Sequence, residues 1–174
     1  MPRHAHGTAS QALLVASRVS ARPLPGAAAM AYRLHASDRD GEEVVAPLAG
    51  SPGVAEAAML AVMTALQAAD PAVPTTLTLV SRAAFDALSH PAWTPSRSTP
   101  IAAVEARAAM LEAASAFSDL RVSLVAVTDD DEMAELAGLA QAEADAWAAE
   151  RMAALPPPAM AASQTLLAAP ASAA

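Results

Sequence analysis

The chain predicts an α/β fold, a mixed sheet covered by helices. Three observations carry that reading. Residues 28 to 37 alternate, with Met30, Tyr32 and Leu34 on one face and Arg33 and His35 on the other, the period-two signature of a half-buried strand. Asp38-Arg39-Asp40-Gly41 follows, a hairpin turn sequence whose Gly accepts positive φ. From Ser51 onward, helix-start signals alternate with short β-branched runs, as when strands are joined by covering helices.

The elements follow in order. Residues 1 to 10 are a lead expected to be disordered. Residues 11 to 20 form a first strand centred on Leu13, Leu14 and Val15, and Pro23, Pro25 and Gly26 punctuate the loop after it. The alternating strand and its turn lead to a third strand starting at Val44 and Val45. Ser51-Pro52-Gly53 opens a helix, with Ser51 as the expected cap and Pro suited to the first turn; Val54, Ala57, Ala58, Ala61, Met63 and Leu66 give it a wide apolar stripe. Asp70-Pro71 ends it. Residues 75 to 81 are β-branched and read as a fourth strand. A short helix from Arg82 to Leu88, a Pro-rich loop over 89 to 100, a helix from Ile101 to Ala116 and a strand from Leu120 to Val127 come next. Thr128-Asp129-Asp130-Asp131 fits a capping box for a last helix running to about Ala154, and Pro156-Pro157-Pro158 stops it. The expected organisation is a domain over 11–154 with an Ala/Pro-rich disordered tail over 155–174.

Composition limits what such a domain can do. The apolar fraction is 55%, but about 50 residues are Ala and aromatics make up only 3%, so the core must rest on a few large side chains such as Leu13, Val15, Tyr32, Leu66, Leu77, Leu79, Phe117 and Leu139. The formal charge is −8 and all ten basic residues are scattered Arg; a nucleic-acid binder needs a basic face, so this balance argues against a nucleic-acid partner. Without Cys there is no disulfide, thiolate nucleophile or Cys-based zinc site, which is compatible with a reducing cytoplasm. No charge-free apolar stretch reaches the roughly 18 residues of a membrane span. The Arg3, His4 and His6 start is followed by no apolar stretch with a cleavage site, so the expected location is cytoplasmic.

Four segments point to a family. They are the strand and loop through Ser17 and Pro25-Gly26 into Ala31-Tyr32-Arg33-Leu34; the helical Ala55-Glu56-Ala57-Ala58-Met59-Leu60-Ala61; the strand Leu77-Thr78-Leu79-Val80-Ser81-Arg82; and Leu139-Ala140-Gln141-Ala142-Glu143-Ala144 in the last helix. Their order and spacing resemble ribonuclease H over residues 11 to 152. The resemblance implies a five-stranded mixed sheet of order 3-2-1-4-5 flanked by helices. It also implies four carboxylates holding two divalent cations, which activate a water and stabilise the leaving oxygen in phosphodiester hydrolysis. By the resemblance those positions fall at Ser17, Glu56, Ser81 and Ala137, so only one of the four carries an acid. A hydroxyl is a poor neutral ligand for a hard cation and Ala offers none. The family's mobile His loop is replaced by Thr128-Asp129-Asp130-Asp131-Glu132, and Asp145 lies about two turns beyond position 137.

Each remaining candidate has a plain reading beside its functional one. Glu56 is a relic ligand or an ordinary helix-start carboxylate favoured by the dipole. Asp129, Asp130 and Asp131 with Glu132 are a weak cation site or a solvated, capped helix start, without the Gly and spacing of a calcium loop. His4 and His6 are half a metal site or an incidental terminal pair, and His35 and His90 have no evident partner. Ser17 and Ser81 sit in no Gly-x-Ser-x-Gly elbow, so they read as replacements for lost Asp rather than nucleophiles. Trp93, in Pro91-Ala92-Trp93-Thr94-Pro95, anchors a partner or folds back on its own core; Trp147 reads as packing. The expected protein is a catalytically inactive, acidic, alanine-rich pseudoenzyme, an interaction or scaffold module with a protein partner or a second copy, no catalytic residues and no cofactor. The alternatives are a nuclease on RNA–DNA hybrid, using Mg²⁺ or Mn²⁺ at Glu56 and the 129–132 run, and a non-catalytic nucleic-acid binder.

Overall fold

The computed structural model describes residues 9–21, 26–37, 39–90 and 93–155. The terminal lead through residue 8, with His4 and His6, and the tail from residue 156 lie outside the described residues.

Three antiparallel strands come first: β1 (Gln11–Val19), β2 (Ala28–Ala36) and β3 (Arg39–Leu48). After α1 (Val54–Ala68), β4 (Thr75–Leu79) pairs parallel to β1, and β5 (Leu120–Leu124) parallel to β4. Between them lie α2 (Arg82–Ser89) and α3 (Ile101–Ser115), and a turn of 3₁₀ helix at Val127–Asp129 leads into α4 (Asp131–Ala153). The sheet order is β3-β2-β1-β4-β5, the expected order. The register sets Val15 opposite Tyr32 and Leu13 opposite Leu77.

The central strand is apolar on both faces because helices cover both. Leu13 and Val15 face one core, with Met30, Tyr32, Leu77 and Leu79 from the sheet, Met59, Val62 and Leu66 from α1 and Met110 from α3. Leu14 and Ala16, one residue out of phase, face the other with Ala31, beneath Met133, Leu136, Ala137 and Ala140 of α4. The buried face of α4 continues through Ala144 and Ala148, small residues that let its backbone approach the sheet closely.

Several local expectations shift. The β2–β3 turn is tighter than expected: Ala36 pairs with Arg39, and Gly41 lies inside β3, opposite a register irregularity between Leu34 and Ala36. A Cβ on Gly41 would meet the His35 ring at 3.1 Å, so this Gly serves close approach rather than the turn. Ser51 does not cap α1. Gly53 is the cap, and its N–H donates to Glu56 Oε2 at 3.4 Å. Val54, expected in the buried stripe, is 73% exposed because it stands at the first helical position, beyond the sheet. β4 stops at Leu79 because Ser81 caps α2, its hydroxyl accepting from the Ala84 N–H at 3.3 Å. β5 stops at Leu124, short of Val127. Asp130 alone caps α4, accepting from the Met133 N–H at 3.0 Å; the third residue on is Met133, which has no carboxylate to complete a box.

Candidate functional site

The C-terminal ends of the parallel strands are where an α/β sheet opens a crevice. Val15 and Leu79 are the last paired residues of β1 and β4, and Ser17 and Ser81 each stand two residues beyond them. By alternation, Ser17 shares the α1 face with Leu13 and Val15. The start of α1 lies at this same end: Gly26, in the β1–β2 connection with φ of 86°, sits so close to the loop before α1 that a Cβ there would be 3.1 Å from Ser51 Cβ. Glu56, in the first turn of α1, is thus brought to the end of the sheet that carries Ser17 and Ser81.

Ala137 is not. It is buried at 3% exposure between α4 and the opposite sheet face, with Leu14 and Ala31. Asp145 reaches the end of β1 instead, where its Oδ1 accepts from Ser20 Oγ at 2.6 Å and from Gln141 Nε2 at 3.1 Å. Those two donors hold its carboxyl below the ordinary range. Two dications need several anionic oxygens together. Here one carboxylate already accepts a backbone N–H, one Ser caps a helix, the other is neutral, and Ala offers no donor. Among the described residues no group of three or more His, Asp or Glu side chains is gathered to hold a metal. The donor set does not fit a pair of divalent cations, and no hydrolytic step follows from it.

The acidic run is dispersed as well. Asp130 caps α4, Asp129 Oδ1 accepts from Thr128 Oγ1 at 3.1 Å, and Asp131 is exposed. Glu132 turns to β2. Its Oε1 accepts from Arg33 Nη1 at 3.0 Å and meets His35 Nε2 at 2.7 Å. Arg33 also pairs with Glu43 of β3 and with Glu135 at 3.5 Å, so one guanidinium ties α4 to two strands. Sequence reasoning missed this network and the His35 partner. Arg33, and then His35, hold the Glu132 carboxyl below its ordinary 4.5, and Glu43 and Glu132 push the Arg33 guanidinium above its own ordinary value.

A depressed carboxylate contributes stability above its unfolded pKa and loses it as pH falls through the folded value. Arg33→Met should therefore lower stability at pH 7 by about 1 kcal/mol, discounted because its acidic partners are more than a third exposed. It should also flatten the loss of stability below the ordinary carboxylate value of 4.5. Urea midpoints of both proteins at pH 7 and pH 3 check this; equal acid losses would contradict it.

Trp93 folds back in part. It is half-buried, its ring lies 4.7 Å beneath the Arg107 guanidinium of α3, and it lines a groove between α1, α2 and α3. Trp147 is half-buried on α4, with Arg151 6.0 Å over its ring. His90 lies 3.9 Å from Asp86, one turn before it in α2.

No protein-family model and no curated relative matches the chain. Solved structures do. Ribonuclease H1 from the halophilic archaeon Halobacterium salinarum is 20% identical with a TM-score of 0.60, covering 75% of this chain and 96% of its own. The N-terminal ribonuclease H domain of a Mycobacterium tuberculosis protein, solved as a fusion with maltose-binding protein, is 16% identical with a TM-score of 0.63, covering 82% of this chain and 99% of its own. At these identities the likeness is one of fold.

Proposed function

We propose that this chain, whose fold is ribonuclease H-like, has no ribonuclease chemistry and works as a protein-interaction or scaffold module. One observation carries the reading: of the four positions equivalent to metal-holding carboxylates, Glu56 alone is acidic. Glu56, with Asp145 at the end of β1 already accepting from Ser20 and Gln141, is too small a set of acids to hold two hard dications against their hydration. The basic residues support the same reading. Arg33 is tied to three Glu, Arg82 to Asp86 and Arg121 to Asp119, so these three of the ten guanidinium groups already face carboxylates, in a chain of net charge −8. A protein partner, or a second copy, meeting the Trp93 groove or the outer edge of β5 fits this surface better. Among the described residues no helix is long and apolar enough to cross a membrane. Action in the cytoplasm is part of the proposal.

The test is incubation of the purified chain with an RNA–DNA hybrid and Mg²⁺ or Mn²⁺. The expected result is no cleavage above buffer. Cleavage that disappears in Glu56→Gln would establish a rearranged nuclease site instead.

A further inference from the structure

The sheet has two outer strands, and they are built differently. β3 is guarded: Pro47 has no N–H to offer, Glu42 and Glu43 are exposed on it, and its pairing with β2 is irregular between Leu34 and Ala36. Charge, proline and irregular pairing keep a sheet edge from recruiting another strand. β5 has neither proline nor irregular pairing, and its one charge, Arg121, already lies 3.5 Å from Asp119. Among the described residues no strand lies beyond it. The direction of its hydrogen bonds follows from its two ends. The Thr75 N–H donates to the Asp119 carbonyl at 2.8 Å, and the Val125 N–H to the Leu79 carbonyl at 2.9 Å. Asp119 and Val125 thus turn to β4, and by parallel alternation so do Arg121 and Ser123. Leu120, Val122 and Leu124 turn their N–H and C=O groups outward. Their side chains share the face on which Leu120 and Val122 touch the α1 core, and all three are only half-buried.

We propose that the outer edge of β5 joins two copies of this chain, paired as antiparallel strands about a twofold axis at Val122. Leu120-Arg121-Val122-Ser123-Leu124 has the pattern that such an axis requires, because its apolar positions fall on themselves when the strand is reversed. Leu120 then lies opposite Leu124 of the second copy, and Val122 opposite its equal, each pair covering the half-exposed flank of the other. The outward groups of the two strands form about six N–H···O bonds. On the other face Arg121 lies opposite Ser123 of the second copy, so like charges do not meet directly. Two copies of a chain of net charge −8 repel each other over most of their surface, whereas at β5 Arg121 and Asp119 balance. An edge of 5 residues buries less than the roughly 1,200 Å² of a standard interface, so the dimer is weak and depends on concentration. The inference rests on the interaction-module reading and gives that module its partner, a second copy.

Sedimentation equilibrium of the full chain tests it, with Ser123→Glu and Ser123→Arg beside wild type. Both variants lose the same hydroxyl contact with Thr78 at 3.1 Å, so the difference between them reads the charge across the axis. Wild type should pass from monomer to dimer between about 5 and 500 μM. Ser123→Glu sets an acid opposite Arg121 of the second copy and should dimerise at least about tenfold more tightly than Ser123→Arg, which sets a base there. At the high concentration the amides of Leu120, Val122 and Leu124 should exchange hydrogen more slowly than at the low one, and those of β3 should not change. A wild-type monomer at every concentration, or a dimer equally tight in both variants, overturns the inference. Hybrid cleavage by wild type would sink the interaction-module reading and leave the dimer measurements standing. A monomer that cleaves no hybrid would sink the dimer and leave that reading with a different protein as partner.

Discussion

Leu77→Ala should lower the unfolding free energy by about 2–5 kcal/mol. Leu77 is fully buried at the middle of β4, opposite Leu13 on one side and Val122 on the other. It belongs to the core that α1 and α3 cover, where much of the filling is Ala: Ala57, Ala58, Ala61 and Ala65 of α1 and Ala103 and Ala106 of α3 are all buried. Ala side chains bury little area, so each large residue carries a large share of the transfer free energy. Set against a total of about 5–15 kcal/mol for a domain of this kind, the loss takes a large fraction of the stability. A thermal midpoint lowered by about 5–15 °C checks it. Ile101→Ala is the control; at 77% exposure it should change stability by no more than about 0.5 kcal/mol. A Leu77→Ala protein within about 1 kcal/mol of wild type would mean that the sheet's core does not depend on its few large residues.

The second large effect is a gain. Ser17→Asp/Ser81→Asp should bind Mn²⁺ at least about tenfold more tightly than wild type. The register puts both positions two residues past the Val15–Leu79 pair, on strands that neighbour each other at about 4.8 Å. With Glu56 at the same end, and Asp145 held there by Ser20 and Gln141, the substitutions add two carboxylates to the two already present. Ser81→Asp keeps the α2 cap, since Asp accepts from the Ala84 N–H as well as Ser does. Without metal, the gathered acids repel and lower the melting temperature; saturating Mn²⁺ should restore it. Calorimetric titration showing wild-type affinity would mean that the two strand ends do not face a common point. Ala137 offers no comparable repair, because an Asp there would be buried beneath α4.

The succession of strands and helices along the chain is legible because its signals are local, whereas the sheet order 3-2-1-4-5 rests on the resemblance. Period-two alternation marks β2, β-branched Thr75-Thr76-Leu77-Thr78 marks β4, and Asp70-Pro71 ends α1 within a residue or two. The β2–β3 turn was misread because Gly41 looks like a turn residue and is instead a close-approach residue inside β3. The buried face of α4 was illegible for a different reason. With Ala on every side of the helix there is no apolar contrast: the half-buried Leu139 and Trp147 are as large and apolar as Met133 and Leu136, which are fully buried. At the candidate site, the loss of acids could be read from residue identities, whereas Ala137's position on the far sheet face depends on how α4 crosses the strands. The Arg33–Glu132 pair joins positions 99 residues apart, beyond any spacing rule.

The most direct measurement is anomalous scattering from crystals of the wild-type chain soaked in Mn²⁺. The account predicts no pair of ions at the C-terminal ends of β1 and β4. Two Mn²⁺ peaks about 4 Å apart beside Glu56 would contradict it, since that is the spacing of a two-metal hydrolytic site.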